Sequence, residues 1–251
     1  MQTLTQRFAN PTRFMALSAR FLPWISTLAA LLIAIGLYMA FFTAPPDYQQ
    51  GHTAKIMYVH VPAAWLAMLA YTLVAASSFG LLVFRHPLAD VSAKAAALIG
   101  AVFTFLCLVT GSLWGKPMWG TFWAWDPRLT SVLILFFLYL GLIALRSSIE
   151  DEQLDGNLTA ILAIVGIVIL PIIRFSVDWN SIHQRPSVSR LGMPTIHPSI
   201  LWPLLVMAAG MTVLFLALHL KAMCNEVLRR RVRALRLLEV QAASRMVQPA
   251  E

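Results

Sequence analysis

The sequence predicts an all-α polytopic membrane protein: six transmembrane helices, both termini in the cytoplasm, and a tryptophan-rich segment on the outer face. Three observations carry this. The 251 residues are 59% apolar and only 12% charged, whereas a soluble domain is about half apolar and about a quarter charged. Apolar runs approaching or exceeding roughly eighteen residues recur along the chain, separated by clusters of Pro, Gly and charge. Finally, thirteen of the nineteen Lys and Arg fall on the side of the termini, which the positive-inside rule makes cytoplasmic.

Taken in order, the spans are 22–42, 58–84, 95–113, 130–146, 158–175 and 199–221. Arg7, Arg13 and Arg20 precede the first. That run is long enough to cross and lacks a cleavage site, so it reads as an uncleaved helix and not a signal peptide. Pro45-Pro46-Asp47 closes it. The second begins at Tyr58, with Pro62 setting its start. Arg85-His86-Pro87 separates it from the third, and residues 114–128 form the outer segment before the fourth. Residues 146–157 lead back to the fifth, and 176–198 form a long outer loop before the sixth. The basic tail, 222–251, spaces Val227, Leu228, Val232, Leu235 and Leu238 as a surface helix would. No internal repeat or soluble module is visible, so 1–251 reads as one integral membrane domain.

The net charge of +8 invites a nucleic-acid reading. Its concentration in the tail (Arg229, Arg230, Arg231, Arg233, Arg236) argues instead for a topology signal and contact with the anionic lipid bilayer, and for no nucleic acid. Cys107 and Cys224 lie too far apart in depth to pair and form no C-x-x-C, which excludes a dithiol oxidoreductase or a c-type cytochrome. There is no G-x-x-x-x-G-K-[ST], H-E-x-x-H or nucleophile elbow. The spans hold almost no ionisable residues, which weighs against an ion-coupled transporter.

The unusual residues gather on the outer face. Trp114, Trp119, Trp123 and Trp125 fall within thirteen residues, closed by Asp126-Pro127-Arg128. Leaving four indoles in water would forgo on the order of 15–25 kcal/mol, so the segment needs something flat and apolar to cover. An aromatic belt at the headgroups is the plain reading, and Trp24, Trp65 and Trp202 fit it. Four indoles among Gly115, Pro117 and Gly120 exceed a belt and suit a platform. Of six histidines, His86 and His219 read as helix-end groups, and His52 and His197 as ordinary loop residues. His60, in Tyr58-Val-His-Val-Pro-Ala-Ala-Trp65, and His183, in Val177-Asp-Trp-Asn-Ser-Ile-His-Gln184, each read alone as interfacial histidines. Together they could approach one metal from opposite faces, as two imidazoles hold six-coordinate haem iron. Haem propionates need cations, and Arg128, Lys55, Lys116, Arg185 and Arg190 lie on the same face.

The run Trp114-Gly-x-x-x-Trp119-Gly-x-x-Trp123-x-Trp125-Asp126-x-Arg128 resembles the WWD signature of the haem-handling proteins of cytochrome c biogenesis. With Tyr-x-His60-Val-Pro-x-x-Trp before it and His183-Gln after it, the chain from about 22 to 221 is similar to the cytochrome c maturation protein C (CcmC) family. The resemblance implies a periplasmic site on the inner membrane where His60 and His183 ligate the iron of haem b. It implies that Trp119, Trp123 and Trp125 shield the ring while Trp114 anchors the segment, that Arg128 takes a propionate, and that Asp126 orients Arg128 or the loop backbone. It further implies delivery of haem to the chaperone CcmE, with the small membrane protein CcmD and the ABC transporter CcmA and CcmB as companions. The role expected is binding and handover, with at most assistance to a bond formed on the partner. A single Trp179 precedes His183, where the family pattern often carries a pair. Two other functions compete: a haem permease subunit of an ABC-type exporter, which needs a ring-wide path through the spans, and a structural subunit whose tryptophans dock other helices.

Overall fold

The computed structural model describes residues 10–149, 151–179 and 196–247. Six of its helices are long and apolar enough to cross a membrane, and the described residues contain no strand beyond an isolated bridge between Asp47 and Gly51.

Helix α1 (Pro11–Tyr38) starts where Asn10 accepts from the amides of Thr12 and Arg13 and Pro11 fills the first helical position. It ends in a π turn, Met39–Thr43, whose Phe41 carbonyl accepts from Lys55 Nζ at 3.0 Å. An Asx turn follows: Asp47 Oδ1 accepts from the amides of Gln49 and Gln50, and Gly51 takes the positive φ that closes it. Helical structure resumes at His52 and runs into α2 (Met57–Phe84). Pro62 is therefore buried one turn inside α2 and does not set its start, a correction to the sequence reading.

Helix α3 (Pro87–Trp119) is 33 residues long, about 50 Å at 1.5 Å per residue, so it overruns a hydrocarbon core of about 30 Å. It ends at Gly120, whose φ of +74° supplies the left-handed stop. The tryptophan segment is thus not one loop: Trp114 and Trp119 are helical, and only residues 120–126 connect to α4 (Pro127–Ser148). Asp126 caps α4, its Oδ1 accepting from Leu129 N at 2.7 Å.

The fifth span is broken into α5 (Glu152–Gly166) and α6 (Ile169–Phe175). Pro171 lacks an amide hydrogen and its ring excludes the carbonyl of Ile167. The chain therefore turns at Ile167 and Val168, with short-range bonds from Ile167 N to Ile164 O and from Leu170 N to Ile167 O. Helix α7 (Pro198–Val247) is continuous for 50 residues. Span and tail helix are one rod, because no Gly or Pro interrupts the sequence between Gly210 and Pro249.

Helices α2 and α3 pair closely at the centre, with α4, α5 and α7 around them, while α1 lies chiefly along α7. Gly36 and Gly210 allow that last approach: a Cβ on Gly36 would meet Met207 Sδ at 2.7 Å, and one on Gly210 would meet the backbone of Ile33 at 3.0 Å. In the core Tyr139 crosses over Gly100 and donates to the Ala67 carbonyl at 2.8 Å, edge-on to the fully buried Tyr71. At the basic end, away from the tryptophans, charges from four helices meet. Asp90 on α3 binds Arg146 on α4 at 2.7 Å and Arg230 on α7, Asp155 on α5 stands 3.6 Å from Arg146, and Lys94 reaches Glu226 at 3.2 Å.

Candidate functional site

At the tryptophan end, a cavity of about 60 Å³ opens between α2, α3 and α4. Its outer wall is His60, Trp119, Trp123 and Arg128; its apolar floor descends through Ala64, Ala67, Leu108 and Val132 to Leu135. Four of the sequence-predicted residues are therefore brought to one place. They arrive by different routes: His60 from the first turn of α2, Trp119 from the last turn of α3, Trp123 from the connection, and Arg128 from the start of α4.

His60 is held along one edge. Its Nδ1 lies 3.1 Å from the Cys107 carbonyl and 3.0 Å from Thr110 Oγ1. Trp114 stands edge-on to it, ring centroids 5.7 Å apart at 80°. The Trp114 indole donates from Nε1 to Gln50 Oε1 at 2.9 Å, so the Asx turn after α1 fixes the ring that backs His60. Trp119 folds over Gly115, where a Cβ would meet its ring at 2.8 Å. Trp123 is half-buried and, among the described residues, its Nε1 is buried without a hydrogen-bond partner, an unusual cost for an indole. Trp125 packs edge-on to Trp123 at 5.6 Å but is 78% exposed and stands outside the cavity. Asp126 is 6% exposed and lies beneath, at the head of α4. Its cap fixes the turn that carries Arg128.

The cations separate clearly. Lys55 Nζ is spent on the Phe41 carbonyl, and Lys116 Nζ on the Gly120 carbonyl and the face of Phe122. Arg128 lines the cavity, and the Asp126 carboxylate is near enough to attract its charge. Arg174, which the sequence reading did not place in the site, is near enough for the two charges to repel. His183, Arg185 and Arg190 lie outside the described residues. Among the described residues no cluster of three or more His, Cys, Asp or Glu could hold a bare metal ion.

Gln50, Thr110 and Gly111 were missed by sequence reasoning. Gly111 gave the only signal, since a glycine inside an apolar helix marks a close approach.

An imidazole, two indoles and a guanidinium line an apolar well at one end of a six-helix membrane scaffold, which defines an integral membrane protein with a cavity at its tryptophan-rich end. Residues 4–238 match the family model described as CcmC, "Heme exporter protein C". The chain is 58% identical to "Heme exporter protein C" of Bradyrhizobium diazoefficiens over 97% of its own length and 91% of the relative's. It is 43% identical to the Escherichia coli K12 protein of that name, over 90% and 91%. It is 45% identical to a ccmC-like mitochondrial cytochrome c biosynthesis protein of Marchantia polymorpha, over 80% and 86%. This chain belongs to the CcmC family.

Proposed function

We propose that this protein binds haem b at the periplasmic face of the bacterial inner membrane and hands it to the chaperone CcmE, working beside CcmD and the ABC transporter CcmA and CcmB. The names of its relatives support haem handling, and the partners follow from the resemblance. The orientation follows from the Lys and Arg asymmetry. The observation that carries the reading is the cavity that groups His60, Trp119, Trp123 and Arg128.

The residues suit the ligand. His60 offers an imidazole whose far edge is already tied down, as metal-ligating histidines usually are. Trp123 has, among the described residues, a buried N–H in need of an acceptor, and Arg128 brings to the cavity wall a guanidinium that suits a carboxylate. The cavity, about 60 Å³ and partly open, admits only a few waters, so a macrocycle would lie largely in its open mouth. That suits a cargo that must leave. His60 and, on the resemblance, His183 ligate iron; Trp119 and Trp123 cover the ring.

The permease alternative agrees with the relatives' printed name, but it needs a ring-wide path through the spans, and among the described residues the cavity is only about 60 Å³ while Tyr71 and Tyr139 are fully buried in the helix interface.

Titration of the purified protein with haemin is expected to give a low-spin bis-imidazole Soret spectrum, which His60→Ala and His183→Ala each lose. A preparation whose spectrum in excess haemin is that of free haemin alone would sink the reading. Arg128→Ala is expected to weaken haem affinity about ten- to hundred-fold, as loss of a charge-assisted hydrogen bond does, with the folded yield unchanged. Unaltered affinity would remove Arg128 from the site.

A further inference from the structure

Cys107, Thr110 and Gly111 lie around one turn of α3, and all three meet the same side of the His60 ring. A carbonyl oxygen only accepts, so the 3.1 Å contact with Cys107 O requires a proton on Nδ1. Thr110 has a single hydroxyl proton, and it is used within α3: Oγ1 donates to Leu106 O at 2.7 Å, with Cys107 O further off at 3.3 Å. Towards His60 the hydroxyl is therefore an acceptor, and its 3.0 Å contact requires the same Nδ1 proton. Two acceptors on one helical turn thus select one tautomer. In the neutral ring the lone pair then resides on Nε2. Gly111 completes the cradle, since a Cβ there would meet Cε1 at 2.9 Å.

We propose that Thr110 is a positioning residue, whose hydroxyl, together with the Cys107 carbonyl, holds His60 as the Nδ1–H tautomer and leaves Nε2 as the ligating atom. The inference rests on the haem reading for the identity of the ligand, and on hydrogen-bond chemistry alone for the tautomer. A ring that donates from Nδ1 is more electron-rich at Nε2, binds iron more tightly and favours the ferric state.

Threonine, valine and serine separate this role from simple packing. Valine keeps the shape of threonine and removes the acceptor; serine keeps the acceptor and removes a methyl group. In full-length protein carrying ¹⁵N-labelled histidine, the wild-type His60 signal, assigned by its loss in His60→Ala, is expected to show the Nδ1–H pattern before any haem is added. Thr110→Val is expected to shift or broaden that signal, weaken haemin binding about ten- to hundred-fold and raise the midpoint potential of bound haem. Thr110→Ser is expected to behave as wild type in all three. A Val variant like wild type, or a Ser variant worse than Val, overturns the proposal by assigning Thr110 a packing role. An Nε2–H signal in the wild type overturns it outright. Wild-type protein that shows the Nδ1–H pattern yet binds no haemin removes the haem reading and leaves the tautomer lock standing, so the two failures are distinct.

Discussion

Gly111→Ala is expected to abolish the low-spin haem spectrum proposed for this protein as completely as His60→Ala does. The added methyl carbon would stand 2.9 Å from His60 Cε1 and 3.5 Å from Nδ1, closer than carbon atoms pack. Either the ring or the helix must give. The ring cannot move far without releasing Cys107 O and Thr110 Oγ1 or meeting Trp114, which backs it edge-on. The helix cannot retreat easily, because α2 and α3 are the most closely paired elements of the fold. Overpacking of this kind costs about 1–3 kcal/mol, which a protein of this size survives, so the expected product is a folded protein with a misdirected ligand. Gly141→Ala is the control. It lies on α4 with nothing near its Cβ position, and replacing a helical glycine by alanine is neutral or favourable by up to about 1 kcal/mol. Haemin titration, with circular dichroism to confirm helix content, decides. A low-spin spectrum of normal affinity in Gly111→Ala would show that the α3 wall does not aim His60.

Why so much of this was legible, and where legibility stopped, follows from what each residue type declares. Apolar runs of spanning length declare helices whatever their neighbours, so the six spans could be read directly. Their ends could not. Trp114 to Trp119 look like loop because glycines and a proline punctuate them, yet α3 runs on until Gly120 adopts a conformation that other residues resist. Pro171 was visible, but its effect falls four residues earlier, at Ile167. The site shows the same division. Tryptophan, histidine and arginine at the membrane surface are rare enough to be noticed singly, and His60, Trp119, Trp123 and Arg128 do line one cavity. Trp125 and Asp126 share their motif but not their location, since strand-like or helical spacing says nothing about a connection of seven residues. Thr110 and Gln50 act through single hydrogen bonds across 50 and 64 positions of sequence, and no local pattern announces such a bond. The charged cluster at the other end was hidden for a further reason. Asp90, Arg146 and Asp155 each sit near a helix end, where a lone charge is ordinary, and Arg230 is one of a run of arginines on α7.

That cluster carries the largest stability effect expected for the molecule. Asp90→Ala is predicted to destabilise the fold by about 3–5 kcal/mol, the cost of stranding a buried charge. The Asp90 and Arg146 side chains are 7% and 6% exposed. One Asp90 oxygen binds Arg146 and the other Arg230. Among the described residues, removing that carboxylate leaves Arg146 with Asp155 alone, at 3.6 Å, and its Nη1 already lacks a hydrogen bond. Arg230 keeps Glu226, so Arg146 is the charge that suffers. Replacing both members of the buried pair, as Asp90→Leu with Arg146→Met, is expected to recover part of the loss, because an uncharged pair has no stranded charge to solvate. Denaturant titration in mild detergent measures both. The proposed haem site provides the internal comparison: Asp90 and Thr110 share α3 but lie twenty residues apart, about 30 Å along the helix. Below its unfolding transition, Asp90→Ala is therefore expected to bind haemin with normal affinity and a normal spectrum. A variant as stable as wild type would show that the cluster is solvated and contributes nothing. A variant that lost haemin binding while still folded would show that the clasp at one end of α3 governs the His60 cradle at the other.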